Sequence, residues 1–302
     1  MRIGLSAGAP TVDGIVAQAI EAEAAGFSTL WFASGGTAGD PLVAMALAGR
    51  ATTTLELATG VLQTYPCHPV LMAERVASLV AAVDRPVTIG VGPSHGPLVE
   101  RSYGLAYDHP GRHTEEYLSI LGPLLKGEKV RFEGVDLVAR ANPPALAHRP
   151  SLLVAALASR LLRAAGTLAD GTVLWLATPR AVAEHVAPRI RAAAAEAGRP
   201  GPRIVAGLPV AVHDDPDEAR AGLLAQVGFY ESLPNYRRLL DLGGAASLVD
   251  ACAVGDEAAV TAHLRSLVDA GATDVWASVV RVGDDPSGSV ARTHALLRDL
   301  AG

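Results

Sequence analysis

Aromatic residues are scarce in this chain: three Trp, six Tyr and four Phe stand among 302 residues, half of which are apolar. The apolar content is mainly Ala, Val and Leu, so buried strands and Ala-rich helices have to form the core. Cysteine is scarcer still. Cys67 and Cys252 lie far apart, which excludes a disulfide framework, and with no activating motif beside it Cys67 reads as a plain thiol. No apolar stretch reaches the roughly 18 to 20 residues that would span a bilayer. The first ten residues, MRIGLSAGAP, hold one Arg and a strand-like run and are not expected to be a signal peptide, so a cytoplasmic location is expected. The net charge of −6 is dispersed, with no basic tract. Nucleic acid needs a concentrated Lys/Arg face to displace counterions, so neither nucleic acid nor membrane is expected as a partner.

What the chain does have is alternation. Strand-like runs occur at Arg2–Ser6, Thr29–Ala33, Leu55–Leu62, Pro86–Gly92, Ser151–Ala156, Thr172–Leu176, Arg203–Val212 and Thr273–Val279, nearly all followed by a helical pattern. Thr11–Ala25 is one such helix, with Ile15, Ala19, Ile20 and Ala24 at helical spacing and Gly26 just past its end. Thr178 and Pro179 supply an N-cap and a first-turn proline for another, running to about Ala197. Eight runs predict an α/β fold, a (β/α)8 TIM barrel with insertions forming a single domain over 1–302; a doubly wound sheet would show the same alternation. The surplus length falls in loop 93–112, a hairpin over Lys129–Val138 and a helical region at 214–257.

The most telling stretch is 86–117, where an apolar strand breaks into a Gly- and Pro-rich loop holding Ser94 and His95. Gly90-Val91-Gly92-Pro93-Ser94-His95-Gly96 is not a dinucleotide loop. Its third glycine is one place late and Pro93 removes an N–H that a phosphate would want. It reads instead either as a plain strand-end turn or as a pocket loop at the C-terminal face of the barrel. His95 and His68, just after the fourth and third strands, could face that pocket, where imidazole suits general acid work. Each is equally open to a purely structural reading. His109 and His113 have the spacing of a metal pair, but Pro110 and Gly111 between them argue against a settled helix, and no metal is expected. His213, His263 and His294 are expected at the surface. Ser159 with Arg160, and Thr178 with Arg180, open helices whose free N–H groups attract anions; ordinary capping is the other reading.

Taken together, these segments resemble the luciferase-like monooxygenase superfamily, and more closely its coenzyme F420-dependent oxidoreductase branch. The resemblance rests on Glu23-Ala24-Ala25-Gly26-Phe27 with Leu30-Trp31, on Leu57-Ala58-Thr59-Gly60-Val61, and on Tyr65-Pro66 with His68-Pro69. It continues through Ile89-Gly90-Val91-Gly92 with Ser94-His95, Ala165-Gly166 with Ala169-Asp170-Gly171-Thr172, Gly207-Leu208-Pro209-Val210, and Leu233-Pro234 with Tyr236-Arg237. It implies a bacterial-luciferase-like barrel with a flavin-like ring at its C-terminal face and a non-prolyl cis peptide at Gly60-Val61 behind the ring. It further implies a border of Gly92, Ser94 and His95, and a phosphate near Ala158, Ser159, Arg160 and Thr178. His95 is then the proton donor, with His68 or Tyr65 shaping the pocket, and relatives suggest a homodimer.

The chain departs from the family pattern at several of these places. Phe32-Ala33-Ser34-Gly35-Gly36 ends the second strand without the polar or acidic residue many relatives have. Ala158-Ser159 replaces Gly-Pro, Thr178 replaces Gly, and Cys67 replaces Arg. Three functions are therefore expected as alternatives: an F420-dependent oxidoreductase of a small molecule, an FMN-dependent monooxygenase, or a barrel that has lost redox chemistry.

Overall fold

The computed structural model describes residues 1–34 and 39–302; Gly35 and Gly36 of the departure after the second strand lie outside the described residues. Twelve strands form among them. In chain order the first six are β1 Ile3–Ser6, β2 Thr29–Phe32, β3 Glu56–Thr59, β4 Leu62–Gln63, β5 Thr88–Gly92 and β6 Val130–Glu133. The rest are β7 Val138–Ala141, β8 Ser151–Ala155, β9 Gly171–Trp175, β10 Arg203–Val212, β11 Ala253–Gly255 and β12 Asp274–Val279. Eight of them pair in parallel in the order β1-β2-β3-β5-β8-β9-β10-β12, and β12 returns to β1 through Gly4 opposite Trp276. This is the closed barrel expected from the alternation, and each of the eight expected runs supplies one of its strands.

Period-two alternation sorts the side chains. Leu30, Leu57, Leu152, Leu174 and Ile204 point outward into the main core beneath the helices. Their neighbours Trp31, Ala58, Leu153, Val173 and Val205 point inward and fill the barrel together with Trp276. The three Trp residues thus meet where the barrel needs volume. Thr11, expected as the first residue of the helix, instead caps the helix Val12–Ala24 by accepting from the Gly14 amide at 3.1 Å.

Four other places differ from expectation. Residues 93–112 are not all loop: a helix spans Gly96–Tyr103 and ends at Gly104 with φ +65°. A second begins at Pro110, because proline suits the first helical position rather than breaking it, and so His113 lies inside the helix Pro110–Leu125. The hairpin is β6–β7, three residues longer at its end than predicted. Strand β11, inside the region read as helical, is only three residues long and exists because the upper end of β10 offers it a partner at Val210–Val212. His213, His263 and His294 are half-buried rather than at the surface. No helix among the described residues is long and apolar enough to cross a membrane.

The lower mouth of the barrel is closed by charge. Arg203 bonds Glu56 at 2.6 Å and Asp274 at 2.7 Å, and Arg2 reaches the same two carboxylates at 2.7 and 2.8 Å. The Arg203 guanidinium also lies 5.8 Å from the centre of the Trp31 ring. Burial alone would raise the carboxyls, but the Arg203 hydrogen bonds and charge outweigh it and hold both below the ordinary carboxylate range.

Candidate active site

At the opposite mouth, the C-terminal ends of the strands surround a cavity of about 440 Å³, a volume in the usual range for small-molecule sites. Its floor starts at β3. After Thr59 the peptide Gly60-Val61 is cis, as the family resemblance implies, and the chain then resumes as β4 against β5. Thr59 fixes this turn: its hydroxyl donates to the Gly90 carbonyl and accepts from the Gly90 amide, both at 2.8 Å. A Cβ on Gly60 would lie 2.7 Å from the Trp276 ring, so only glycine admits the indole there. Trp276 stacks on Trp31 at 5.5 Å, meets Trp175 at 5.1 Å and donates its N–H to Ser6 Oγ at 2.8 Å.

The next border comes from β5. Ser94 has φ +64°, a left-handed conformation uncommon for serine, and its carbonyl accepts from the Tyr107 hydroxyl at 2.8 Å. That turn aims His95 into the cavity, where its ring meets the Tyr230 edge at 5.8 Å and Tyr236 at 6.0 Å. Burial pushes the His95 imidazole below its ordinary value, which favours its neutral form. Small residues line the third side: Ala155 ends β8, and Ala156 and Ala158 follow it. Ala158 precedes the helix Ser159–Leu168 and offers no side-chain cap, which leaves the first-turn amides without a side-chain acceptor. Tyr230, Asn235 and Tyr236 form the roof, from the helices Pro216–Glu231 and Pro234–Gly243. Among the described residues the lining contains no Asp, Glu, Lys or Arg.

Of the residues singled out from sequence, the structure brings His95, Ser94, Gly60, Val61 and Ala158 to the cavity. Gly92 stands just behind, where a Cβ would press on Ala155 and Val61 at 2.9 and 3.0 Å. The others lie outside the lining. Exposed His68 caps its own helix, accepting from the Val70 amide at 3.2 Å and donating to the Val138 carbonyl at 3.2 Å. Tyr65 stacks on His113 at 4.0 Å and on Tyr107 at 5.1 Å, so it reaches the site only through the Tyr107 bond to Ser94. Ser159 and Arg160 are exposed, and Arg160 is bound to Glu115 at 2.9 Å. Thr178 is buried against Gly243 and caps its own helix through the Ala181 amide at 3.1 Å. Arg180 pairs with Glu184 at 3.0 Å and points away in solvent.

Sequence reasoning assigned no role to Trp175, Trp276, Tyr230 or Asn235, which come from strands and helices far apart in the chain. It also missed His185. This buried imidazole, in a wide π-helical turn at Val182–Val186, donates to the Leu157 carbonyl at 2.9 Å and so holds the loop after β8 in place. His185→Leu should lower stability by about 1–2 kcal/mol in urea denaturation, the cost of a buried carbonyl left without its donor.

An apolar cavity with few polar groups at the C-terminal mouth of a closed parallel barrel is the site pattern of barrel enzymes. The chain belongs to the luciferase-like monooxygenase family, whose sequence pattern matches residues 2–274. Among characterised relatives it is 28% identical to the F420-dependent hydroxymycolic acid dehydrogenase of Mycobacterium tuberculosis, over 69% of this chain and 62% of that one. The fold is similar to that of the coenzyme F420-dependent tetrahydromethanopterin reductase of Methanopyrus kandleri (TM-score 0.74, 18% identity, 100% and 99% of the two chains). It is equally similar to an FMN-bound type II Baeyer-Villiger monooxygenase of Pseudomonas putida (TM-score 0.73, 18% identity, 100% and 98%). The chain is therefore related in sequence to an F420-dependent dehydrogenase, and it shares its fold with an F420-dependent reductase and with an FMN-bound monooxygenase.

Proposed function

We propose that this protein is an F420-dependent oxidoreductase that exchanges a hydride between the deazaflavin and a small uncharged organic substrate. The observation that carries this reading is the convergence of three features on one cavity: the Gly60-Val61 bulge, the neutral His95 and the uncapped helix at Ala158. The residues present fit such a cofactor. Gly60 and Val61 back a flat ring, the small side chains Ala155 and Ala156 leave room beside it, and the amides after Ala158 suit one anionic group. When bound, the deazaflavin supplies the hydride chemistry. The chain's part is to orient the two reactants, exclude water with its apolar walls, and exchange a proton at the His95 imidazole.

Titration of the purified protein with F420 and, separately, with FMN tests the reading. Clear preference for F420 supports it, and preference for FMN moves the chemistry to oxygen. A second reading, a ligand-binding barrel without redox chemistry, is favoured by the missing cations: Arg160 and Arg180 are both taken by glutamates. Binding of neither cofactor would select it.

The anion seat yields a prediction of opposite signs. Ala158→Asp supplies the missing N-cap and should stabilise the fold by about 0.5–1 kcal/mol. Its carboxylate should at the same time weaken cofactor binding at least about tenfold, by filling the amides and repelling the anion. Thermal unfolding and the same titration measure the two effects; unchanged affinity would place the phosphate elsewhere.

A further inference from the structure

We propose that the Tyr236 hydroxyl is the substrate-binding donor of this cavity, and that the cavity takes an uncharged, aromatic or otherwise apolar molecule carrying a carbonyl or similar neutral acceptor. The inference deepens the proposed function, since it concerns the substrate side of the same cavity.

The tyrosines of this chain separate by what their hydroxyls do. Tyr65 donates to the Asp108 carbonyl and Tyr107 to the Ser94 carbonyl. Tyr117 is sealed, its hydroxyl out of reach of solvent and without a partner. Tyr230 and Tyr236 are different, since both line the cavity and neither hydroxyl makes a hydrogen bond among the described residues; the more deeply buried of the two is Tyr236. Its side chain is 6% exposed. The little surface it keeps therefore faces the space a ligand would fill. A phenol so deeply buried stays protonated, since burial pushes it far above its ordinary value, and it is a donor at any working pH.

The position is held rather than loose. Tyr230 packs edge-on against the Tyr236 ring at 5.0 Å and Leu233 starts the helix that carries it. Both belong to a satellite apolar cluster with Leu176, Val227 and Leu240, formed by the helices that roof the barrel. His95 and Tyr236 thus offer the substrate two neutral hydrogen-bonding groups on rings whose centres lie 6.0 Å apart, within walls of Trp175, Trp276 and Tyr230. A carboxylate or ammonium brought among them would lose its water and find no opposite charge, whereas a ring would stack and a carbonyl would find a donor.

The test is calorimetric and needs no turnover. The full chain, as purified and again with F420 added, is titrated with acetophenone, with ethylbenzene as the counterpart lacking the oxygen, and with 4-acetylbenzoate as the charged counterpart. Acetophenone is expected to bind about five- to tenfold more tightly than ethylbenzene, the value of one hydrogen bond, and at least about tenfold more tightly than 4-acetylbenzoate. Tyr236→Phe keeps the ring and its packing, so its melting temperature should stay within a few degrees. It should erase the preference for acetophenone over ethylbenzene while leaving ethylbenzene unchanged, a split that a merely structural role would not produce. An unchanged ketone preference in Tyr236→Phe, equal binding of 4-acetylbenzoate, or no binding of either neutral probe overturns the proposal. Loss of F420 binding with this selectivity intact would sink the redox reading and leave the substrate class standing.

Discussion

His95→Gln should lower the turnover number by about 10²- to 10⁴-fold, the usual contribution of a positioned acid or base, with little change in cofactor affinity. Glutamine keeps a hydrogen-bonding group at the same place but cannot exchange a proton. The effect should be this large because His95 is the one side chain of the described lining that can carry a proton on and off near neutral pH. Its environment also sets the sign of the pH dependence. Burial lowers the imidazole below its ordinary value of about 6.5, so the protonated form that serves reduction is lost as pH rises through that lowered value. The neutral form that serves as a base in the oxidative direction is gained over the same interval. Reduction should therefore slow, and oxidation quicken, from acid toward neutral pH in the wild type, and both limbs should flatten in His95→Gln. Turnover equal to wild type would remove His95 from the chemistry and leave it as a wall of the pocket.

Arg203→Met is the second large effect, at the other end of the barrel. The substitution leaves Glu56 and Asp274 with only Arg2 as a nearby cation, and Arg2 is half exposed. Removing one partner from a buried charge cluster should destabilise the fold by about 3 kcal/mol, read as a lower urea midpoint with an unchanged slope. The two carboxyls have depressed folded-state values, so in the wild type their contribution is complete above the ordinary carboxylate range, about pH 4, and is lost as pH falls through the lower folded values. In Arg203→Met the unpaired carboxylate protonates more readily. The gap between variant and wild type should then be widest at neutral pH and narrow below about pH 4. A gap independent of pH would mean that Arg203 matters for packing on Trp31 rather than for charge.

Much of this was legible in the sequence because it is local. A buried parallel strand is a short apolar run, and a helix start is a Thr-Pro at a fixed distance from apolar periodicity, so eight strands and the cap at Thr178 could be read directly. The turn at Ser94-His95 was readable for the same reason, since it sits where a strand ends, whereas the bulge at Gly60-Val61 was expected only from the family resemblance. Thr178 and Arg160 also looked like ligands by this local logic. The three-dimensional arrangement put Gly243 over the first and Glu115 beside the second, and neither contact leaves a trace within a few residues of the site.

The sequence by itself determined the barrel, the mouth at which a site would form, and the histidine at its border, because hydrophobic period and turn chemistry act over neighbouring residues. Only the tertiary structure decided what kind of site this is. Trp175, Trp276, Tyr230 and Tyr236 come from positions up to about a hundred residues apart and meet only when the sheet closes and the 216–243 helices fold over it. The same closure takes every charged side chain of the described residues out of the cavity wall, pairing Arg160 and Arg180 with glutamates and gathering Arg2 and Arg203 at the far end. Charge is cheap in water and costly in an apolar cavity, so which of the chain's cations the ligand could meet is set by where the folded surface lies.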